Sequence, residues 1–169
     1  FYAWRKQMMI IRATTEEDWE VLREIRLASL LDAPRAFGVT YAAAAANTEA
    51  QWRDRAAGRG PGRFVLAFSD GVAVGMAGAV VSAASEFNLI AMWVRPGHRG
   101  AGVAVGLVEA VKEHAKARGH SHVFLDVALE NERAVAFYRK LGFAFLPVWE
   151  ALESHPEITV QKMEWVAAR

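Results

Sequence analysis

The sequence predicts an α/β chain, in the α+β sense, with a mixed central sheet of about seven strands flanked by four helices. Three observations carry that prediction. Two strand–helix–strand patterns follow one another in the C-terminal half, which implies a partly parallel sheet with helices packed on it. An Asp70-Gly71 pair between two β-rich runs signals a hairpin. An apolar strand, Leu89 to Val94, runs through Arg95-Pro96 into a basic glycine-rich turn and then an amphipathic helix.

With 169 residues, the chain fits one domain. The domain is assigned to 9–169, and residues 1–8 read as a tag or upstream extension with the natural start at Met8 or Met9. An apolar fraction of 53% against 23% charged residues is that of a soluble globular protein. A formal net charge of +1 argues against binding nucleic acid through a broad basic field. There are no cysteines, which excludes disulfides, thiolate metal sites and a cysteine nucleophile. Charges or glycines interrupt every apolar run before membrane-span length, and the N-terminal stretch lacks the core of a secretory signal. The expected location is the cytoplasm.

In chain order, Met8 to Ala13 read as a first strand. Thr14-Thr15-Glu16-Glu17-Asp18 supply a cap and first-turn acids for a helix with Trp19, Leu22, Ile25, Arg26, Ser29 and Leu30 at helical spacing, which ends near Asp32-Ala33-Pro34. Ala42 to Ala46 have helix propensity but no large apolar residue to anchor them. Thr48 and Gln51 form a capping box for a short second helix, Thr48 to Ala57. Arg63 to Ser69 and Val72 to Val81 are the hairpin strands, and Gly75 and Gly78 predict a bulge or a close approach of another segment. After the strand Phe87 to Val94, the next helix places Ala104, Leu107, Val108, Val111 and Ala115 on one face and closes at Arg118-Gly119. His122 to Ala128 form a strand, Asn131 to Leu141 a helix, and Phe143 to Trp149 and Glu157 to Trp165 two last strands around a loop containing His155-Pro156.

The glycine turn His98-Arg99-Gly100-Ala101-Gly102 leaves backbone N–H groups free at the positive end of a helix dipole, which is an anion site. Three readings compete. Gly100, Gly102 and Gly106 can serve only a tight turn and close packing. They can belong to a dinucleotide-binding unit, with Asp126 about 20 residues downstream, although their spacing and late position depart from that fingerprint. A Walker loop fails, because no Lys-Ser or Lys-Thr follows.

The third reading rests on two blocks. Arg99-Gly100-Ala101-Gly102-Val103-Ala104 fits Arg/Gln-x-x-Gly-x-Gly/Ala and resembles the acyl-CoA pyrophosphate loop of the GNAT superfamily of N-acetyltransferases. The stretch Asn131 to Phe143, with Ala134, Tyr138 and Gly142 in register, is similar to the N-x-x-A-x-x-x-Y-x-x-x-G-F signature of the same superfamily. The order of elements also matches, from about Met9 onward.

This resemblance implies the GNAT fold, acetyl-CoA as cosubstrate, no metal, and direct attack by a primary amine in a ternary complex. It implies a gap between the strands Leu89 to Val94 and His122 to Ala128, where a pantetheine arm pairs with the backbone of Met92, Trp93 and Val94. Arg99, Gly100, Ala101, Gly102, Val103 and Ala104 would wrap the pyrophosphate. Asn131 and Ala134 would hold the arm, and Tyr138, on the same helical face as Asn131, would give the leaving thiolate its proton. Asn131 also reads as a helix cap and Tyr138 as a core aromatic.

Glu86 is the first candidate for the base and Asp126 the second, since Asn88 beside Glu86 cannot take a proton. A solvated strand-end glutamate is the plain alternative. His120 and His122 lack a third ligand at metal spacing. Phe37, Trp52 and Trp149 fall in segments that line the acceptor pocket in this fold, and the loop Glu150-Ala-Leu-Glu153 would favour a cationic acceptor or be solvated charge. Many relatives dimerise, so a homodimer is compatible with the resemblance. The reading from another class is a non-catalytic acyl-CoA sensor. No membrane or nucleic-acid partner is expected, and the acceptor amine is not legible.

Overall fold

The computed structural model describes residues 8–100 and 102–168. The extension assigned to 1–8 therefore lies outside the described residues except for Met8. The strands are β1 (Met9–Ala13), β2 (Gly62–Ser69), β3 (Val72–Val81), β4 (Phe87–Val94), β5 (His122–Ala128), β6 (Ala144–Leu152) and β7 (His155–Val166). The helices are α1 (Trp19–Asp32), α2 (Tyr41–Ala45), α3 (Glu49–Ala57), α4 (Val103–Ala117) and α5 (Glu132–Lys140). One sheet runs in the order β1-β2-β3-β4-β5-β7-β6. Among the described residues only β4 and β5 pair in parallel, joined through α4. β7 inserts between β5 and β6 and is antiparallel to both.

The local signals act as their chemistry requires. Asp70 (φ 48°) and Gly71 (φ 81°) are both left-handed, the twist that closes a two-residue hairpin. In the α3 capping box, Thr48 Oγ1 accepts from Gln51 N at 3.2 Å, and Gln51 Oε1 accepts from Thr48 N at 2.8 Å. A Cβ on Gly75 would lie 2.9 Å from both Val103 and Leu107, so the missing side chain lets α4 settle onto β3.

Two expectations are corrected. There are five helices among the described residues, not four, because the alanine run forms the short α2. Thr40 caps it by accepting from Ala43 N, and Ala44 alone is buried, so a cap and alanine propensity suffice without a large anchor. The final connection is a tight hairpin. Glu150 to Leu152 complete β6, Leu152 pairs with His155, and only Glu153 and Ser154 turn. The expected acidic loop is therefore mostly strand, and Ser154 Oγ donates to the Phe37 carbonyl, which holds this turn against the segment after α1.

Helices cover both faces of the sheet. Leu107, Val108 and Val111 of α4 pack with Phe87, Leu89, Leu125 and Val127 on one side. Leu22, Ile25 and Leu30 of α1 and Trp52 of α3 pack with Leu66, Met76, Ala91 and Trp93 on the other. β4 thus changes sides: Phe87 and Leu89 face α4, whereas Ala91 and Trp93 face α1. Strict alternation would keep these four odd positions together. A bulge separates them, since Ile90 pairs with Gly78 and Trp93 with Met76, leaving Ala91 and Met92 opposite the single residue Ala77. Ala91 takes φ 55° to make this possible.

Candidate active site

The bulge sits where the sheet opens. β4 and β5 pair at Asn88 and Phe124, and no further pairing between these strands occurs among the described residues. Beyond that point lies a cleft of about 910 Å³. Met92, Trp93 and Val94 line one side; Asn131, Ala134, Phe137 and Tyr138 line the other. Arg99, Gly100, Gly102, Ala104 and Val105 close one end, and Asp32, Ala33, Ala36 and Phe37 contribute from the end of α1. The Ala91–Met92 bulge lies in the strand that forms one side of this cleft, and Asn131, the N-cap of α5, lies on the other.

The glycine turn is built for those groups. Gly97, Gly100 and Gly102 hold φ of 94°, 85° and 79°, values that L side chains rarely adopt. Gly102 is the N-cap of α4 and brings no side-chain acceptor to the first N–H groups of this 15-residue helix. Ala104 is partly buried against the α4 core and also lines the cleft. Ala101 lies outside the described residues.

Arg99 is tied back at both ends of its guanidinium. Nε donates to the Val94 carbonyl at 2.9 Å, and Nη2 donates to Asp32 Oδ2 at 2.8 Å. Trp93 Nε1 donates to the same oxygen at 2.9 Å. The Trp93 hydrogen bond, followed by that of Arg99, holds the Asp32 carboxyl below the ordinary aspartate value. The carbonyl of Val94 is thereby engaged, and Arg99 first shapes the turn. Sequence reasoning missed Asp32. Its one signal was an acid in the last turn of a helix, where the dipole disfavours it.

Asn131 caps α5, its Oδ1 accepting from Ala134 N at 3.2 Å. The cap leaves its Nδ2 for a ligand. Tyr138 is 9% exposed and packs edge-on against Phe137 and Phe143, with ring centroids 5.2 and 5.8 Å away. Burial raises its phenol well above the ordinary tyrosine value, so the proton stays on the oxygen at neutral pH.

The two candidate bases lie apart from the residues lining the cleft. Glu86 Oε2 accepts from Lys162 Nζ at 3.1 Å. Asp126 pairs in register with Lys162, and desolvation raises its carboxyl; Lys162 opposes the rise, while Glu150 and Glu86 add to it. Of the three aromatics in acceptor-lining segments, Phe37 lines the cleft, Trp52 is buried in the α1–α3 core and Trp149 stands 55% exposed on β6. His122 Nδ1 lies 3.1 Å from Glu164, and His120 packs on Phe87. Among the described residues no cluster of three or more His, Cys, Asp or Glu is placed to hold a metal ion, and no helix is long and apolar enough to cross a membrane.

The fold is shared with known proteins. The family model described as "Acetyltransferase (GNAT) family" matches residues 19–143. Streptothricin acetyltransferase of Streptomyces lavendulae is 36% identical over 90 residues, covering 53% of this chain and 48% of that protein. The chain spans about half of that relative's length. A GNAT-family acetyltransferase structure from Streptococcus pneumoniae superposes with a TM-score of 0.79 at 18% identity, over 95% of this chain and all of that one (100%). PaiA N-acetyltransferase from Thermoplasma acidophilum, in complex with coenzyme A, superposes at 0.67 with 19% identity, over 94% and 99% of the two chains. At such identities the structures show a shared fold. The family match, the parted strands and the glycine turn agree: this chain belongs to the GNAT acetyltransferase family.

Proposed function

We propose that the chain is an acetyl-CoA-dependent N-acetyltransferase that moves the acetyl group directly to a primary amine within a ternary complex. The observation that carries this reading is the parting of β4 and β5 beside the Ala91–Met92 bulge, with the glycine turn at one end and Tyr138 in the wall. The residues fit the ligand. Three left-handed glycines and a helix start without a side-chain cap suit a diphosphate, which is bound by backbone N–H groups at the positive end of a dipole.

Acetyl-CoA, when bound, supplies the thioester. The chain's own residues do the rest. Met92, Trp93 and Val94 offer backbone from the bulged strand, where an N–H aimed at the thioester oxygen is worth most as negative charge develops there. Gly100 to Ala104 hold the diphosphate, with Arg99 setting the turn and adding charge. Asn131 and Ala134 hold the pantetheine arm from the facing helix. Tyr138 keeps its proton in the apolar wall and gives it to the departing thiolate. Glu86 is the first base for the incoming ammonium and Asp126 the second; both act through water, since neither lines the cleft. The raised Asp126 carboxyl accepts a proton more readily than an ordinary aspartate.

A free-thiol release assay with acetyl-CoA against a panel of amines tests the reading. Thiol release that depends on an amine, with the N-acetyl product seen by mass spectrometry, is the expected outcome. Coenzyme A binding without release on any amine would instead make the chain a sensor.

A further inference from the structure

Among the described residues six arginines, Arg12, Arg35, Arg53, Arg59, Arg95 and Arg99, each lie within salt-bridge distance of an acid. Arg26 is one of those that do not. It lies on α1, mostly buried, with its Cζ 5.0 Å from the centroid of the Phe37 ring. Among the described residues its Nη1 is buried without a hydrogen-bond partner, and so is Nε1 of Trp52 on α3. Loss of hydration, followed by repulsion from Arg55, pushes its pKa down to about 10, so it still carries its charge at neutral pH. Arg55 in turn stacks over Trp52, 5.4 Å from the ring centroid.

Two guanidinium groups on two aromatic rings, with two buried donors unanswered and no acid beside Arg26, form a site that lacks its anion. A buried donor without an acceptor is costly, and a native structure tolerates it where a ligand completes it. Phe37, the ring beneath Arg26, also lines the wall of the cleft on the α1 side, and the Ser154 hydroxyl on its carbonyl fixes that segment. Phe37 thus links Arg26 to the α1-side wall of the cleft, while Arg26 and Trp52 are not themselves among the residues that line it.

The geometry points to Arg26, backed by Trp52 Nε1, as the recognition site for a carboxylate on the acceptor, so that the amine is an amino carboxylic acid rather than a polycation. This rests on the acetyltransferase reading and narrows its substrate class. A planar carboxylate suits the guanidinium fork. Transfer itself is unchanged: the amine nitrogen forms the amide bond, the thioester C–S bond breaks, and the thiolate takes one proton while the ammonium loses one.

The test compares L-amino acids with their own α-amides by thiol release. Wild type should favour the acid over its amide by roughly tenfold or more in kcat/KM. Arg26→Gln should bring that ratio to about one, through KM of the acid, with kcat and coenzyme A affinity nearly unchanged. Arg26→Lys should retain part of the preference. Equal use of acid and amide by wild type overturns the inference, as does a preference that survives Arg26→Gln. The wild-type ratio decides the matter alone if the Gln variant does not fold. Acetylation confined to amines without a carboxylate defeats this inference and leaves the acetyltransferase reading standing; failure of coenzyme A to bind defeats the reading itself.

Discussion

Arg99 Nη2 donates to Asp32 Oδ2 at 2.8 Å, and this contact joins the start of the glycine turn to the last residue of α1. Trp93 Nε1 reaches the same oxygen, so one carboxylate ties the bulged strand, the turn and the helix together. Asp32→Asn should leave the fold intact and weaken coenzyme A by about tenfold, the equivalent of one charge-assisted hydrogen bond. Calorimetric titration with coenzyme A checks this.

The same carboxylate sets a pH dependence. Its carboxyl is lowered in the folded state, so its contribution is complete above the ordinary aspartate range of about 4 and is lost only as pH falls through the lower, folded value. The difference in melting temperature between wild type and Asp32→Asn should therefore hold steady from neutral pH to about 4 and shrink below it.

Tyr138 shows the opposite sign. Burial raises its phenol, so the folded state is favoured below the ordinary tyrosine value of about 10 and loses that contribution as pH rises beyond it. Tyr138→Phe should lower kcat by roughly a hundredfold while coenzyme A affinity holds. The wild-type rate profile should show no alkaline limb near 10 from this group, and steady-state kinetics across pH on both proteins read this out.

Ala91 holds the bulge at φ 55° with only 9% exposure. Ala91→Gly should fold at least as well, because glycine adopts that angle freely. A β-branched side chain cannot, and Ala91→Val should cost about 2 kcal/mol and weaken coenzyme A binding by straightening β4. Denaturant unfolding of the two variants, each with and without coenzyme A, separates the effects.

Lys112 is 5% exposed on α4, and its Nζ donates to the Leu141 carbonyl at 2.7 Å and sits 4.7 Å from the Trp165 ring centroid. It pins α4 to the end of α5. Lys112→Ala should cost about 2 kcal/mol, or roughly 5 °C in melting temperature, without changing acceptor preference. Thermal unfolding measures the loss.

The features legible in the sequence are those whose chemistry is local. Asp70-Gly71, the Thr48–Gln51 box and the glycines before α4 each demand one backbone geometry, and each takes it. The blocks at Arg99 to Ala104 and Asn131 to Phe143 also marked where the cleft would lie, and their described residues that line it surround one space. What was not legible depends on partners distant in sequence. No glycine or proline marks the bulge at Ala91; it exists because Trp93 must face α1 while Leu89 faces α4. Arg26 shares the helical spacing of the apolar residues of α1 and Asp32 marks its end, but what each meets is set by Phe37, Trp93 and Arg99, which the helix alone does not place beside them. Glu150 read as loop, yet it pairs with Val160 of β7, and β7 tolerates Pro156 because its pairing with β5 reaches only as far as Val160.

Under the proposed function, the turn from Arg99 to Ala104 holds the diphosphate of coenzyme A. Gly102 has φ 79° and no atom within 4 Å of a built Cβ, so Gly102→Val disturbs the turn by its backbone angle and not by crowding. Calorimetric titration of wild type and Gly102→Val with coenzyme A and with NAD tests this directly. The predicted result is a dissociation constant of roughly micromolar order for coenzyme A in wild type, at least about tenfold weaker binding in the variant, and no heat from NAD. Binding of NAD in place of coenzyme A, or coenzyme A affinity untouched by Gly102→Val, would contradict it.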